Sequence, residues 1–369
     1  MKKPEPAKIV IDGRMLSWTG VGRYTHHLLE ELQQLDKVNM YTVLVLPSDN
    51  WQPTASNFRR VEANFKPYGL GEQAGLRRLL NRLQADVVHF TAPNSPLFYT
   101  GRRVTTIHDL TLIDYKNVKG SRLLYEIKYQ VFGMVMSRAV KSSMFVLTIT
   151  DYVKSQLLER YKIKHNKVHT THLAADLKVI KPVKEKYING PYLLYVGNFF
   201  PYKNIGQLIE ALPGVVEKNP NIKLVLVGRE DYFQAQLKKQ AKELGVEDKV
   251  VFTGFVSDQE LAGLYQNATL YTFPSLSEGF GLPALEAMSY GVPIAAARAS
   301  CLPEVLGASA EYFDPYNAND IAKTINSLLG NKKRLSELKK AGPEHVKSFS
   351  WKRTAEQTLE VYRRALGQK

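Results

Sequence analysis

Lys181-Pro182-Val183-Lys184-Glu185-Lys186-Tyr187-Ile188-Asn189-Gly190-Pro191, followed directly by Tyr192-Leu193-Leu194-Tyr195-Val196, decides the reading of the fold. The first part is polar with a proline near each end, and it reads as a linker. The second is apolar and β-rich, and it restarts an alternation that the linker interrupts. Before the linker, strands are predicted at 9–11, 41–46, 86–90, 103–107 and 144–149, and helices at 24–35, 75–84, 121–140 and 151–161. After it, strands are predicted at 192–196, 222–227, 250–252, 270–273 and 293–295, with helices at 205–211, 234–244, 259–265, around Glu286 and at 351–366. Strand–helix alternation of this kind specifies parallel sheets covered on both faces. The chain therefore reads as α/β, with two doubly wound Rossmann-like domains facing a central cleft. The expected division is 1–182, 183–350 and a C-terminal crossover helix at 351–369. Ligands of such sheets bind beyond the carboxyl ends of the strands.

A length of 369 residues suits two domains, and no apolar run approaches a membrane span. Lys8 to Asp12 already reads as the first strand, which leaves no room for a signal peptide. Cys301 is the only cysteine, which excludes an internal disulfide and fits a reducing cytoplasm. The net charge of +15 is uneven: Met1 to Glu185 holds 28 Lys and Arg against 16 Asp and Glu, the remainder 22 against 19. A basic first half implies an acidic partner: nucleic acid, anionic lipid or a phosphorylated substrate.

The stretch richest in chemistry is Ser277-Glu278-Gly279-Phe280-Gly281-Leu282-Pro283-Ala284-Leu285-Glu286-Ala287-Met288. It sets two carboxylates eight positions apart, with a Gly-aromatic-Gly turn after the first and a helix carrying the second. Backbone N–H groups at such a helix start suit an anionic oxygen. Gly20-Val21-Gly22, read as a loop between strand and helix, lets the backbone approach a phosphate or sugar; a plain tight turn has the same pattern. It is not the three-glycine dinucleotide fingerprint, and no acidic residue follows the second strand. His108 follows the strand ending at Ile107 and is a candidate donor to a substrate oxygen or a structural histidine; His89 is a second cleft candidate. Gly197 permits a close turn after the strand at 192–196, and Lys203 beyond it can neutralise a diphosphate. No metal-ligand spacing, Walker loop, Gly-x-Ser-x-Gly or Asp-x-Asp is present.

Together these residues resemble the retaining GT-B glycosyltransferases of family 4, mannosyltransferase-like members in particular. Ser277 to Met288 looks like that family's Glu-x7-Glu motif. Tyr195 to Asn204, Gly254 to Ser257, Ser300 to Val305, Phe349 to Trp351 and the opening Ile11 to Tyr24 fall where it has similar stretches. The resemblance implies roles. Glu286 would accept hydrogen bonds from ribose hydroxyls, and Glu278 would contact a hydroxyl of the donor sugar. Backbone N–H groups of Gly279, Phe280, Gly281 and Leu282 would meet sugar and diphosphate. Lys203 would bind the diphosphate, with Gly20 and Gly22 beside it. His108 would touch the sugar, and Phe255 and Val256 would flank the base. One departure is that the family commonly pairs its lysine with an arginine on the same loop. Here Asn198 and Tyr202 stand instead, with Arg229, Arg23 and Arg14 as candidate replacements.

The resemblance implies transfer of a hexose from a nucleotide diphosphate sugar, GDP-mannose favoured over a UDP-hexose, to a glycan or lipid-linked acceptor with retention. No cofactor or metal is required on this reading. The leucines of 75–84 (Leu76, Leu79, Leu80, Leu83) against Arg77, Arg78 and Arg82 raise an anionic membrane surface as a partner, with a cytoplasmic protein peripheral on the inner membrane face; the other reading packs the leucine face on its own sheet and leaves the arginines exposed. Nucleic acid is not expected as a partner. Competing readings are a catalytically impaired nucleotide-sugar binder, a basic nucleic-acid-binding protein and a nucleotide-sugar epimerase.

Overall fold

The computed structural model describes residues 6–69, 71–115, 122–175 and 188–368. Most of the expected linker, 181–187, lies outside the described residues, as does Ser121 at the start of an expected helix. Backbone contacts divide the chain into two compact units, Met1–Leu173 with Ser350–Lys369, and Ala174–Phe349. The division falls at Leu173/Ala174 against the expected 182/183, and each unit is described by itself.

The first unit contains β1 (Lys8–Asp12), β2 (Met40–Val45), β3 (Phe58–Glu62), β4 (Val87–Phe90), β5 (Arg103–Ile107), β6 (Phe145–Thr148) and β7 (Val168–Thr170). They form one sheet in the order β3-β2-β1-β4-β5-β6-β7, every pairing parallel. The central strands are buried almost throughout, as a sheet covered on both faces requires. One apolar cluster joins Val10, Leu44, Val88 and Phe90 to Leu76 and Leu80, with Leu79 and Leu83 packed against it. The leucine face of 75–84 is therefore spent on the unit's own core. This agrees with the reading in which that face packs on its own sheet, and Arg77, Arg78 and Arg82 stay exposed. A second cluster gathers Ile107, Met136, Val140, Val146, Val153 and Leu157 on the sheet.

The first helix, Gly20–Leu35, begins four residues before the expected Tyr24, so Gly20 and Gly22 belong to its first turn rather than to a loop. A Cβ on Gly22 would lie 2.2 Å from the Leu16 carbonyl oxygen, so no other residue lets the helix sit on its own entry loop. Arg14 is fully buried. It bonds Asp12 and Glu72 at 2.6 Å each and donates to the Phe65 carbonyl at 2.8 Å. Burial opposes its charge, but Asp12 and then Glu72 outweigh that and raise its pKa. Arg14 is committed to this triad, which removes it as a replacement cation for the lysine loop.

The C-terminal helix, Trp351–Ala365, belongs to the first unit and packs chiefly on the first helix. Ser350 caps it by accepting from Arg353 N. Its buried Tyr362 hydroxyl lies 2.6 Å from His89 Nδ1; His89 Nε2 lies 2.8 Å from Thr106 Oγ1, which in turn lies 3.0 Å from the Tyr24 hydroxyl. His89 is thus a fully buried structural histidine between sheet and helix, not a cleft residue. Thr354 adds a hydrogen bond to the His172 carbonyl, and His27 stacks on Trp351 at 4.5 Å.

The second unit contains β8 (Tyr192–Val196), β9 (Lys223–Val227), β10 (Val250–Gly254), β11 (Leu270–Phe273), β12 (Ile294–Ala297) and β13 (Glu311–Phe313). The order is β10-β9-β8-β11-β12-β13, again all parallel. The chain winds one way from β8 through β9 to β10 and the other way from β11 onward. The crevice at the carboxyl ends of β8 and β11 is accordingly the topological switch point. Among the described residues, no helix is long and apolar enough to cross a membrane.

Burial, with a smaller contribution from His108, pushes His89 down to about 3 from its ordinary 6.5. The ring is neutral in the fold but takes a proton near 6.5 once unfolded. Protons therefore favour the unfolded chain as pH falls through that window, and the contribution is complete above it. We expect His89→Asn to flatten the loss of stability between about pH 6.5 and 4 by roughly 1 kcal/mol per pH unit, measured by urea unfolding. Tyr362→Phe, which strips His89 of a partner, should cost about 1–3 kcal/mol.

Candidate active site

Four turns of the second unit end on one edge of its sheet. After β8, Gly197 N donates to the Val227 carbonyl at 2.9 Å, and a Cβ on Gly228 would lie 2.1 Å from the Gly197 oxygen. The turns after β8 and β9 therefore touch through two glycines, and Arg229 follows at once. Past Gly197, the Asn198 carbonyl accepts from the Tyr195 hydroxyl at 2.8 Å. A short 3-10 turn, Pro201–Lys203, then leads to the helix Ile205–Val216 through Asn204 in a left-handed conformation, φ 61°. The Asn204 amide donates to the Pro274 and Pro315 carbonyls at 3.2 and 2.7 Å, and Leu276 N donates to the Tyr202 carbonyl at 2.8 Å. These bonds fasten the lysine loop to the loop after β11.

The result is a contact the sequence did not announce. Lys203 Nζ lies 2.6 Å from Glu278 Oε1, both side chains part-buried. The two residues expected to meet diphosphate and sugar thus pair with one another. Glu278 is held from behind: its N–H donates to Ser300 Oγ at 3.2 Å and its carbonyl accepts from Cys301 Sγ at 3.2 Å. Burial, followed by the charges of Glu278 and Glu304, pushes the Cys301 thiol well up, so it stays protonated and is no nucleophile.

Gly281 opens the motif helix, Leu282–Ser289, at φ 97°, and no side chain caps that end. A Cβ there would be strained and 3.1 Å from both Phe273 and Leu302, so glycine is required. Gly279 is half-buried. The Phe280 side chain is buried against Phe349, which leaves only its backbone for a ligand. Glu286, one turn into the helix and half-buried, accepts from the Tyr265 hydroxyl at 3.1 Å. Tyr265 in turn stacks on Tyr290 with centroids 5.5 Å apart. At the end of β10, Gly254 turns at φ 71°. Val256 is buried, while Phe255 is largely exposed with the Arg229 guanidinium 5.5 Å from its ring centre.

Sequence reasoning missed Tyr265, Asn204, Ser300 and Cys301 as supports of this edge. Asn204, immediately after the lysine, was the one legible signal: asparagine tolerates φ above zero at a helix entry.

In the first unit, His108 follows β5 with Nε2 2.8 Å from the Thr91 carbonyl and its ring edge-on to Tyr24 at 5.0 Å. Burial lowers its pKa, although the Thr91 bond and Asp109 oppose the shift. The neutral ring donates from Nε2 to Thr91, so Nδ1 is left as an acceptor. Where a donor was expected, the nitrogen not bonded to Thr91 is therefore an acceptor. Gly20 lies open at the start of the first helix, and Gly22 is buried against Leu16.

With this geometry in place, the comparisons with known proteins are informative. The family model described as glycosyltransferase family 4 matches residues 18–179, and the one described as glycosyl transferases group 1 matches 177–345, together most of the chain. The chain belongs to family 4 of the glycosyltransferases. The O-antigen chain mannosyltransferase B of Escherichia coli is 29% identical over 94% of this chain and 96% of its own length. The MMP alpha-(1->4)-mannosyltransferase of Mycolicibacterium hassiacum is 30% identical over 64% of this chain and 57% of its own. Sucrose-phosphate synthase from Thermosynechococcus elongatus superposes with a TM-score of 0.76 at 20% identity, over 98% of this chain and 99% of that one. That likeness shows the fold, two parallel-sheet Rossmann-like domains of the GT-B type. This glycosyltransferase thus has mannosyltransferases among its relatives.

Lys203→Ala should weaken binding of a nucleoside diphosphate by about 10- to 100-fold, because a charge-assisted bond contributes about 1.5–3 kcal/mol. Glu278→Gln should keep the lysine, lose turnover and retain or tighten diphosphate binding. Calorimetric titration with GDP and UDP checks both.

Proposed function

We propose that this family-4 glycosyltransferase moves a hexose, mannose foremost, from a nucleotide diphosphate donor to a hydroxyl of a glycan or lipid-linked acceptor, retaining the anomeric configuration. The observation that carries the reading is the Lys203–Glu278 pair at the β8/β11 switch point, with Glu286 one turn along the motif helix. A donor diphosphate arriving there supplies Lys203 with a new counter-charge and releases Glu278 to accept from a sugar hydroxyl. Glu286, already oriented by Tyr265, would accept from the ribose. The exposed Phe255 ring and the backbone at Val256 offer a surface for the base. His108, in the first unit, would accept from a sugar hydroxyl.

The leaving group is the nucleoside diphosphate. The bond from the anomeric carbon to the phosphate oxygen breaks as that carbon bonds the acceptor oxygen, and the acceptor proton passes to the departing phosphate. Negative charge grows on the diphosphate, so fixed cations and backbone dipoles there favour the transition state. Arg229 is our candidate for the second cation, since Asn198 and Tyr202 hold the places where the family commonly has one. It starts one residue beyond the Gly228–Gly197 contact. The mannosyl relatives support mannose, and hence GDP-mannose, over a UDP-hexose. No residue in this reading is assigned to a metal.

The substituted cation also favours a second reading, a donor-binding relative of reduced turnover. A thermal-shift panel of GDP, UDP, ADP and their sugars, followed by hydrolysis of the hits, separates the two. We expect stabilisation by GDP and GDP-mannose with slow hydrolysis. Binding without any turnover favours the second reading, and a UDP-only response overturns the donor assignment. Glu286→Ala should abolish the GDP shift, and Arg229→Ala should weaken it about tenfold; an unaltered shift in Glu286→Ala removes the ribose role.

A further inference from the structure

Arg229 and Phe255, which the donor reading gives to the diphosphate and the base, touch each other. The Arg229 guanidinium carbon lies 5.5 Å from the centre of the Phe255 ring. Arg229 stands two residues after β9 and Phe255 directly after β10, on one edge of the second sheet. The strand order β10-β9-β8-β11 sets the turn after β9 between the end of β10 and the crevice. A nucleotide with its diphosphate at Lys203 and its base at Phe255 therefore runs past Arg229. Its base meets the ring on the side that faces β9, where the guanidinium lies.

Arg229 has acids close at hand and uses neither. Glu230 and Asp231 follow it, yet among the described residues no ion pair joins it to either. The Asp231 carboxylate is taken by its own loop: Oδ1 accepts from Phe233 N and Gln234 N at 2.9 and 3.2 Å, and Oδ2 from Phe199 N at 3.4 Å. Phe255 is fixed from behind. Gly254 turns at φ 71°, Val256 is buried, and Ser257 and Glu260 cap the helix Asp258–Asn267 reciprocally. The ring itself is 72% exposed, and Arg229 is exposed as well. A cation on an exposed ring favours the contact by only about two- to fivefold in an equilibrium. Stacking of a base on an aromatic ring is stronger, so a base displaces the guanidinium.

We propose that Phe255 is a specificity-determining residue for the donor: it keeps Arg229 on its ring, and a base stacking there sends the guanidinium to the diphosphate. This role rests on the donor reading and adds a linkage to it. A bare diphosphate has to draw Arg229 off the ring with nothing to fill the ring's face. A nucleotide fills that face with its base, so its two ends support one another's binding. Arg229 follows Gly228, which is packed on the Gly197 carbonyl, so the released guanidinium starts from the turn that already touches the lysine loop. The site thereby favours a whole nucleoside diphosphate over pyrophosphate.

Titration of the full chain with GDP, pyrophosphate and guanosine tests the linkage, with UDP and uridine run alongside. Calorimetry reads the diphosphates and saturation-transfer NMR the nucleosides. Each single variant should weaken binding of the nucleoside diphosphate and strengthen binding of one fragment. Phe255→Ala should bind pyrophosphate about two- to fivefold more tightly than the parent, and Arg229→Ala should bind the nucleoside more tightly by the same factor. The double variant should lose the pyrophosphate gain, because the released cation is gone. Phe255→Trp, a better ring for the cation, should bind pyrophosphate no more tightly than the parent. Unaltered affinity for both fragments in the single variants overturns the proposal and leaves the donor reading standing. So does weaker nucleoside binding in Arg229→Ala, which would seat the guanidinium on the base itself. If neither single variant weakens binding of GDP or UDP, the donor reading of these two residues falls, and the linkage with it.

Discussion

Parallel pairing is the constraint on which the rest of this structure depends. When every strand runs the same way as its neighbours, every strand-to-helix turn of a unit emerges at one edge. In the second unit, that edge collects Gly197 and Lys203 after β8, Arg229 after β9, Phe255 after β10 and Glu278 after β11. Lys203 and Glu278, 75 positions apart, become neighbours without any long loop to carry them. The reversal of winding between β8 and β11 then separates two turns enough to leave a crevice, and the lysine and the glutamate meet across it.

The pairing of Lys203 with Glu278 balances charge at this edge. A bare lysine there would be open to any anion, and a bare carboxylate would repel one. As a pair they form a part-buried, near-neutral contact. The supports behind it, Ser300, Cys301 and the Asn204 amide, are fixed by bonds to backbone, so the loops that carry the pair are held in place.

What could be read in the sequence follows from burial. Central strands such as β4 and β8 are covered on both faces and are mostly apolar, and β5 is rich in β-branched residues (Val104, Thr105, Thr106, Ile107), so their positions were legible. β3, β7 and β13 were not. All three lie at sheet edges, where one side of the ladder is open and charged side chains are tolerated. Phe58-Arg59-Arg60-Val61-Glu62 carries three charged residues in five. In the fold it is β3, with Arg59 bonded to Thr42 and Arg60 to Glu62. Gly197, Lys203, Gly281 and Glu286 stood out in the sequence by their places just after strands, and the fold brings those turns to one edge of the sheet. Tyr265 and Cys301 were not, because their roles depend on strand order rather than on local pattern. His89 and His108 show the same limit: both follow the sheet's hydrophobic runs, and only the return of Tyr362 distinguishes the structural one.

The path of the chain also sets an order of assembly. The first unit is sealed by Thr354, Thr358 and Tyr362, which follow the whole of the second unit in the chain. During synthesis, strands β1 to β7 emerge early but wait for that seal with the first helix's inner face uncovered. The second unit, contiguous from Ala174 to Phe349, has all its parts sooner. Domains made first generally fold first; here the later-made unit is the one whose parts are all present sooner. The first unit waits, with one helix face uncovered, for residues made after the whole of the second, so the helix Trp351–Ala365 is the element whose delay leaves it open to chaperones and proteases.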